Sequence, residues 1–150
     1  MGLVDVPQWV KSHAYEERPF GALTPREVLV LREALRRFSE PNPEVSVVIP
    51  AWNEGDTIHR TLASLAATRT LLRTELIVID NNSTDRTGEV LAALGVRTLV
   101  QPVQGTPHAR QMGLQRAKGR FHLCADSDTL YPPDWIDLMV KPMRENAGIV

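Results

Sequence analysis

Two aspartates separated by one residue, Asp126 and Asp128, form the most suggestive pair for metal chemistry in this 150-residue sequence. Two carboxylates placed so close in a turn repel one another unless a cation or a proton neutralises them. Mg²⁺ and Mn²⁺ accept one or two carboxylate ligands and complete their coordination with water or substrate phosphates. The spacing therefore predicts a divalent-metal site, with Mn²⁺ or Mg²⁺ as the cofactor and Asp128 and Asp126 as its ligands.

Polar residues also follow two earlier strands that the sequence predicts. Runs of β-branched and other apolar residues predict buried strands at 45–49, 76–79 and 121–125. The segments that follow these strands are 50–54 (PAWNE), 80–82 (DNN) and 126–128 (DSD). Ligands bind beyond the carboxyl ends of the strands in open α/β sheets, so we expect the three segments to share one crevice. Each segment taken singly is equally typical of turn and helix-cap chemistry.

Arg110 is expected in the first turn of a helix over 106–118, opened by Thr106 and Pro107 and closed by Gly119. A cation there is disfavoured by the helix dipole, by about 0.3–1 kcal/mol. A bound anion would make the position of Arg110 favourable, because the free backbone N–H groups and the guanidinium would then bind the anion together. A diphosphate between this helix and the metal accounts for the position, and a surface ion pair of Arg110 with a carboxylate is the alternative.

Strands and helices alternate along the rest of the chain. A further strand is expected at 96–100 and the start of another at 148–150. Helices are expected at 54–68, through Val90 to Leu94 with Gly95 as the stop, and at 133–141 before Pro142. Strict alternation predicts an α/β fold, a mostly parallel sheet with helices on both faces. Because the chain stops within an element, we expect this sheet to be incomplete at its C-terminus.

Residues 1–44 are expected to form an N-terminal extension, and 45–150 the α/β unit that contains the crevice. The first 24 residues show little periodicity, which predicts an irregular lead-in. An amphipathic helix follows at about 25–38, with Thr24 as N-cap, Pro25 as its first residue and Glu27 completing a capping box. We expect this helix to pack on the outside of the following unit.

The overall composition excludes several classes of protein. The formal charge is −1, which argues against a nucleic-acid binder. No apolar run approaches the roughly 18 residues of a membrane span. A single cysteine and the lack of a signal sequence predict a cytoplasmic protein, membrane-associated if the natural chain is longer. No Gly-x-Gly-x-x-Gly follows the first strand and no P-loop occurs, which disfavours dinucleotide oxidoreductases and P-loop NTPases.

Three segments in this order resemble family 2 glycosyltransferases, which have the Rossmann-like GT-A fold. They are 45–54 (VSVVIPAWNE), 75–85 (ELIVIDNNSTD) and 126–128 (DSD). The segment 109–114 (ARQMGL) is similar to the family's Ala-Arg-Asn-x-Gly-Leu helix start, with Gln111 in place of asparagine. The resemblance covers residues 45–142 and implies that Pro50, Ala51 and Glu54 line the base and ribose pocket of a nucleotide sugar.

The same resemblance implies further roles. Asp80 would hydrogen-bond the base, Asp126 would contact the ribose or sugar, and Asp128 would bind the metal that holds the donor diphosphate. Arg110 would lie near that diphosphate. Asn82 and Ser127 belong to the same expected nucleotide-sugar site.

The function implied is metal-assisted, inverting transfer of a sugar from a UDP- or GDP-linked donor to a glycan, lipid or protein acceptor. The family's catalytic base would lie beyond Val150, as would the acceptor half, so we expect this segment alone to transfer little or nothing. Two alternatives are a non-catalytic nucleotide-sugar-binding or scaffold module and a sugar nucleotidyltransferase. The latter normally has a Gly-rich basic loop after the first strand, which residues 50–54 do not provide.

Overall fold

Four parallel strands form the central sheet of the computed structural model, which describes residues 6–11 and 17–146. The sheet has the order β3-β2-β1-β4. Its strands are β1 (Val45–Ala51), β2 (Thr74–Asp80), β3 (Arg97–Val100) and β4 (Phe121–Cys124). All three pairings are parallel, which confirms the predicted parallel α/β sheet. The expected strand at 148–150 lies outside the described residues.

Helices cover both faces of this sheet, as predicted. The helices of the described residues are α1 (Gln8–Lys11), α2 (Pro25–Leu35), α3 (Ile58–Ala66), α4 (Thr87–Leu94), α5 (Thr106–Arg116) and α6 (Trp135–Glu145). Alternate residues of β1 and β2 point to opposite faces and divide the core in two. Helices α2, α3, α4 and α6 pack over one face, whereas α5 covers Val48, Ile77 and Ile79 on the other. In the described part of the chain no helix is long and apolar enough to cross a membrane.

Helix α2 begins as its sequence predicts. The Glu27 amide donates to Thr24 Oγ1 at 3.3 Å, and the Thr24 amide donates to Glu27 Oε2 at 2.8 Å, which completes the capping box. A single 3₁₀ turn over Arg36–Phe38 extends the helix to the predicted end. Leu31 and Leu35 are buried in the larger core cluster with residues of α3 and α4. The helix therefore contributes to the core of the sheet's first face.

Two predicted helix ends are wrong, each for a steric or packing reason. Helix α5 stops at Arg116, and Gly119 instead lies against β1, where a Cβ would approach Ser46 N to 2.7 Å. Helix α6 continues through Pro142 to Glu145. A proline so close to the C-terminus removes one backbone hydrogen bond, and the last turn is still held by Met143 against the core and by the Arg144–Glu44 ion pair.

The other differences are smaller. Helix α3 starts at Ile58, later than predicted, because residues 54–57 form a turn in which the Thr57 amide donates to the Glu54 carbonyl at 3.0 Å. Gly95 ends α4 as predicted, with φ of 68° in the left-handed region that glycine adopts without strain. The lead-in contains the four-residue helix α1 and a 3₁₀ turn at Phe20–Ala22, and residues 1–5 and 12–16 lie outside the described part.

Candidate functional site

A polar cleft of about 350 Å³ opens at the carboxyl ends of β1, β2 and β4. The cleft is lined by Pro50, Ala51, Trp52, Glu54, Asn81, Thr106, Asp126, Ser127 and Asp128. Six residues predicted from the sequence are thus brought together, namely Pro50, Ala51, Glu54, Asp126, Ser127 and Asp128. The parallel register accounts for this, since β2 and β4 both pair with β1 and their carboxyl ends lie at one edge.

The loop after β1 is clamped to the loop after β2. The Glu54 amide donates to Thr87 Oγ1 at 2.8 Å, and the Gly55 amide donates to Asp85 Oδ2 at 3.0 Å. Asn53 has a positive φ of 55°, and its Oδ1 accepts from the Thr84 amide at 2.8 Å. These bonds hold the backbone of the first cleft wall in place, and the Glu54 carboxylate accepts a hydrogen bond from the Thr57 hydroxyl within the same turn.

Asp85 is the acid that carries this clamp. Burial raises its pKa, but hydrogen bonds from the Thr87 hydroxyl, the Thr87 amide and the Gly55 amide outweigh that effect, so the net pKa of Asp85 is lowered. A lowered pKa means that the ionised carboxylate is the form favoured by folding. Asp85 therefore has a structural role beside the cleft, in keeping with its place in the cap chemistry of the 80–85 segment.

The β2 end contributes Asn81 to the cleft. The Asn81 Nδ2 group donates to the carbonyls of Gln101 and Val103 at 3.1 and 2.7 Å, and its Oδ1 accepts from the Gly105 amide at 2.8 Å. This buried side chain thereby ties β2 to the segment that leads into α5. The sequence places the whole segment 80–82 at this edge and selects Asp80 and Asn82 as site residues, whereas the residue of this segment that lines the cleft is Asn81.

Asp80 and Asn82 lie beside the cleft and are absent from the side chains that line it. Asp80 is buried, and its Oδ1 accepts from the Ser83 amide at 3.1 Å. Asn82 is exposed and has a positive φ of 61°, which a short polar side chain tolerates. Their assignment to a nucleotide-sugar site stays a prediction.

Arg110 reaches the cleft through an ion pair. Its Nη2 donates to Asp126 Oδ1 at 2.9 Å, and the two side chains are 44% and 62% exposed. Arg110 is the fifth residue of α5, so it starts the second turn and not the first as predicted. The structure therefore shows the predicted alternative, in which Arg110 pairs with a surface carboxylate. That carboxylate, Asp126, is itself a predicted metal ligand.

The two aspartates fit a cation that takes few protein ligands. Asp126 and Asp128 line the same open cleft and carry like charges on turn positions separated by Ser127. Within residues 6–11 and 17–146 no group of three or more His, Cys, Asp or Glu side chains is arranged to hold a metal ion by itself. A carboxylate pair with open space beside it instead suits Mn²⁺ or Mg²⁺ that shares phosphate and water ligands.

The sequence favours packing, over stacking on a base or sugar, as the role of both Trp52 and Trp135. Trp52 is instead 54% exposed on the cleft wall. Trp135 does pack, on the Tyr131 ring with centroids 4.4 Å apart. The signal that distinguishes them is position, since Trp52 directly follows the end of β1.

A parallel sheet with a polar cleft beyond the carboxyl ends of its strands is the architecture of open α/β folds, in which ligands bind at that edge. Residues 46–150 match the family described as glycosyl transferase family 2, and the chain belongs to this family. The predicted family and GT-A fold class are thereby confirmed.

Individual relatives support the same assignment. Over 113 residues the chain is 31% identical to dolichol-phosphate mannosyltransferase of Saccharomyces cerevisiae, a match that covers 69% of this chain and 42% of the relative. Over 112 residues it is 30% identical to glycosyltransferase GlyG of Streptococcus pneumoniae, covering 71% and 37% of the two chains. The chain thus spans about two fifths of the length of these curated relatives.

Solved structures of similar fold contain nucleotides. The structure of S. aureus TarS 1–349 in complex with UDP has a TM-score of 0.60 and 25% identity, covering 69% of this chain and 33% of that one. Glucosyl-3-phosphoglycerate synthase from Mycobacterium tuberculosis with Mn²⁺ and UDP-glucose has a TM-score of 0.58 and 28% identity. That match covers 77% of this chain and 43% of the synthase.

Proposed function

We propose that this chain is the donor-binding part of a glycosyltransferase that uses a nucleoside diphosphate sugar and a divalent metal, with inversion at the sugar carbon. The observation that carries the proposal is that Asp126 and Asp128 share one cleft with the loop that follows β1. The relatives add that UDP is bound by TarS, and that Mn²⁺ and UDP-glucose are bound by the mycobacterial synthase. The proposed donor is linked to UDP or to GDP. The proposed acceptor is a glycan, a lipid or a protein.

The cleft walls suit the two ends of such a donor. Pro50, Ala51 and Glu54 offer the surface for the base and ribose, and the exposed face of Trp52 lies next to them. An aromatic face stacks on any base, which is worth about 1–3 kcal/mol in nucleic-acid complexes. We assign Asp80 and Asn82 to the base side of this site.

The opposite wall suits the diphosphate and the sugar. We assign Asp128 and Asp126 to the metal, with Asp126 and Ser127 also near the ribose or sugar. Arg110 would then donate to the diphosphate, since a guanidinium matches the geometry of phosphate oxygens. A divalent metal, when bound, supplies positive charge that stabilises the nucleoside diphosphate as a leaving group.

Titration calorimetry with UDP and with GDP, each with and without Mn²⁺, tests the proposal. Asp128→Asn removes one charge while it keeps the shape of the side chain, and it is expected to abolish the Mn²⁺-dependent part of nucleotide binding. Asp134→Asn is the matched control, because Asp134 is an exposed aspartate without a side-chain cap bond at the start of α6. Equal Mn²⁺ dependence in the Asp128 variant and the wild type would contradict the assignment of the metal site.

Because the chain spans about two fifths of its relatives, the proposed role of this polypeptide by itself is binding. We expect it to bind the donor weakly and to transfer little or no sugar. Incubation with UDP-glucose or GDP-mannose labelled in the nucleotide, followed by separation of the released nucleotide, measures the transfer, and calorimetric titration measures the binding. Turnover by this polypeptide alone would contradict that expectation while it left the proposed donor site intact.

A further inference from the structure

We infer that Tyr131, together with Thr61, is a positioning residue that sets where the Asp126–Asp128 carboxylates lie. The inference rests on the proposed function of this turn in binding a metal–nucleotide complex. Neither side chain lines the cleft, so the effect would pass through the backbone of the turn.

The Tyr131 hydroxyl bonds to the backbone on both sides of Asp126. It accepts a hydrogen bond from the Asp126 amide at 2.7 Å and donates to the Asp126 carbonyl at 3.4 Å. The Tyr131 ring is 8% exposed and packs against Trp135 in the larger core cluster. A rigid, buried ring thus presents its polar end to an exposed acidic turn.

Helix α3 fixes the turn from a second direction. Thr61 Oγ1 donates to the Ser127 carbonyl at 2.7 Å. One turn further along α3, Ser64 Oγ accepts from the Tyr131 amide at 3.0 Å. Both Thr61 and Ser64 are buried, so the hydrogen bonds that attach the turn to the core start from side chains shielded from water.

These bonds act against the electrostatics of the turn. Two aspartates on either side of Ser127 repel, and in an exposed loop that repulsion favours conformations in which the carboxylates diverge. Backbone bonds at Asp126 and Ser127 hold the turn in one conformation with both carboxylates at the cleft. Groups that hydrogen-bond metal-ligating side chains change metal affinity by about 10–100-fold when they are replaced, and we expect anchors of the ligands' backbone to act at the lower end of that range.

Two substitutions remove only the anchoring groups, Tyr131→Phe and Thr61→Val. Thr74→Val is the matched control, because Thr74 Oγ1 also donates to a backbone carbonyl, that of Leu72 at 2.9 Å, at the opposite edge of the sheet. We would measure amide hydrogen exchange at residues 126–128 without ligand, Mn²⁺ affinity in the presence of UDP, and thermal stability. The thermal stability shows whether a variant has lost its fold. If one of the two variants has, the exchange and the Mn²⁺ affinity of the other variant test the inference.

The expected result is faster exchange at residues 126–128 in both variants and about 10-fold weaker Mn²⁺ affinity, with nucleotide binding in the absence of metal unchanged. A purely structural role would lower the melting temperature, as Thr74→Val is expected to do, without this change in metal affinity. Unchanged exchange, or faster exchange with unchanged Mn²⁺ affinity, would overturn the inference. If the unsubstituted chain shows no Mn²⁺-dependent UDP binding, the proposed function fails, and the exchange data still decide whether Tyr131 anchors the turn.

Discussion

The guanidinium of Arg110 lies 2.9 Å from Oδ1 of Asp126, so a cation from α5 partly neutralises one of the two cleft aspartates. The pair joins residues 16 positions apart in the sequence and bridges α5 and the turn after β4. Oδ1 of Asp126 is thus engaged by the arginine, and a metal bound at Asp126 would compete with the guanidinium for the same carboxylate. Arg110 is therefore expected to act on metal binding in two opposite directions.

Arg110→Ala should strengthen Mn²⁺ binding to the nucleotide-free protein and weaken the binding of UDP with Mn²⁺. An exposed ion pair contributes about 0.2–1 kcal/mol, so the gain in metal affinity should be at most about fivefold. Loss of a charged hydrogen bond to the diphosphate costs about 1.5–3 kcal/mol, which corresponds to a loss of about 10–150-fold in UDP affinity. Manganese electron paramagnetic resonance and calorimetry measure the two affinities.

Arg36→Ala is the control for this prediction, since Arg36 forms an exposed ion pair with Glu33 on α2 at 3.1 Å. It should change neither affinity. Weaker metal binding by the Arg110 variant in the absence of nucleotide would contradict a competing role for this arginine.

Gly113→Ala is expected to destabilise the fold by about 1–3 kcal/mol, although alanine is the better helix former. A Cβ at this position of α5 would lie 2.2 Å from Val48 Cγ1, so the helix would have to move away from β1. Chemical denaturation of the two proteins measures the difference in the free energy of unfolding. Because α5 carries Arg110, the same variant should also weaken nucleotide binding.

Gly88→Ala provides the matched control in helix α4. A Cβ at Gly88 meets only Asp80 Oδ2, at the ordinary contact distance of 3.5 Å. The change should leave stability unaltered or raise it by up to about 1 kcal/mol. If both variants changed stability alike, the close approach of α5 to the sheet would not be what makes a side chain at position 113 destabilising.

Leu35→Ala tests whether the helix before the matched family segment supports the fold. Leu35 precedes the matched residues 46–150, yet its side chain is buried in the larger core cluster. Removal of a buried leucine typically costs about 2–5 kcal/mol. Denaturant unfolding measures the cost, and Leu29→Ala is the control because Leu29 is exposed on the same helix. A cost below about 1 kcal/mol would show that α2 is dispensable for stability.

Stability is expected to fall as the pH is lowered from 7 to 5, because of His59. Burial, followed by the charge of Arg60, lowers the pKa of His59 to about 4. The unfolded chain binds this proton near pH 6.5, so in this interval it holds more protons than the folded chain and folding becomes less favourable. The expected loss is about 1–2 kcal/mol, measured by urea unfolding at the two pH values.

His59→Gln should remove most of this pH dependence, since glutamine does not titrate. The carboxylates with lowered pKa, Glu27 at about 2 and Asp85, lose their contribution at lower pH and do not account for a change between pH 7 and 5. A pH dependence that persisted in the glutamine variant would assign it to another group.

Local patterns predicted the elements well because the interactions that define them lie close in the sequence. The Thr24–Glu27 capping box, the left-handed Gly95 and the four strand positions each depend on neighbouring residues. Predictions from local punctuation were wrong at Gly119 and Pro142, where contacts with β1, the core and Glu44 decide the outcome. At the cleft, local reasoning selected Asn82 and set aside Trp52, since the exposure of a turn residue is not encoded in its immediate neighbours.

The sequence by itself determined the alternating order of strands and helices, the family, and the six polar or apolar residues that meet at the carboxyl edge. Parallel strands place their carboxyl ends at one edge of the sheet, which brings the segments after those ends near one another. Only the tertiary structure decided that Arg110 pairs with Asp126, that Tyr131 holds the same turn, and that Gly113 lets α5 approach β1. The reason is geometric, because these contacts depend on how a helix is placed on the sheet, and that placement is set by the whole core and not by any single segment.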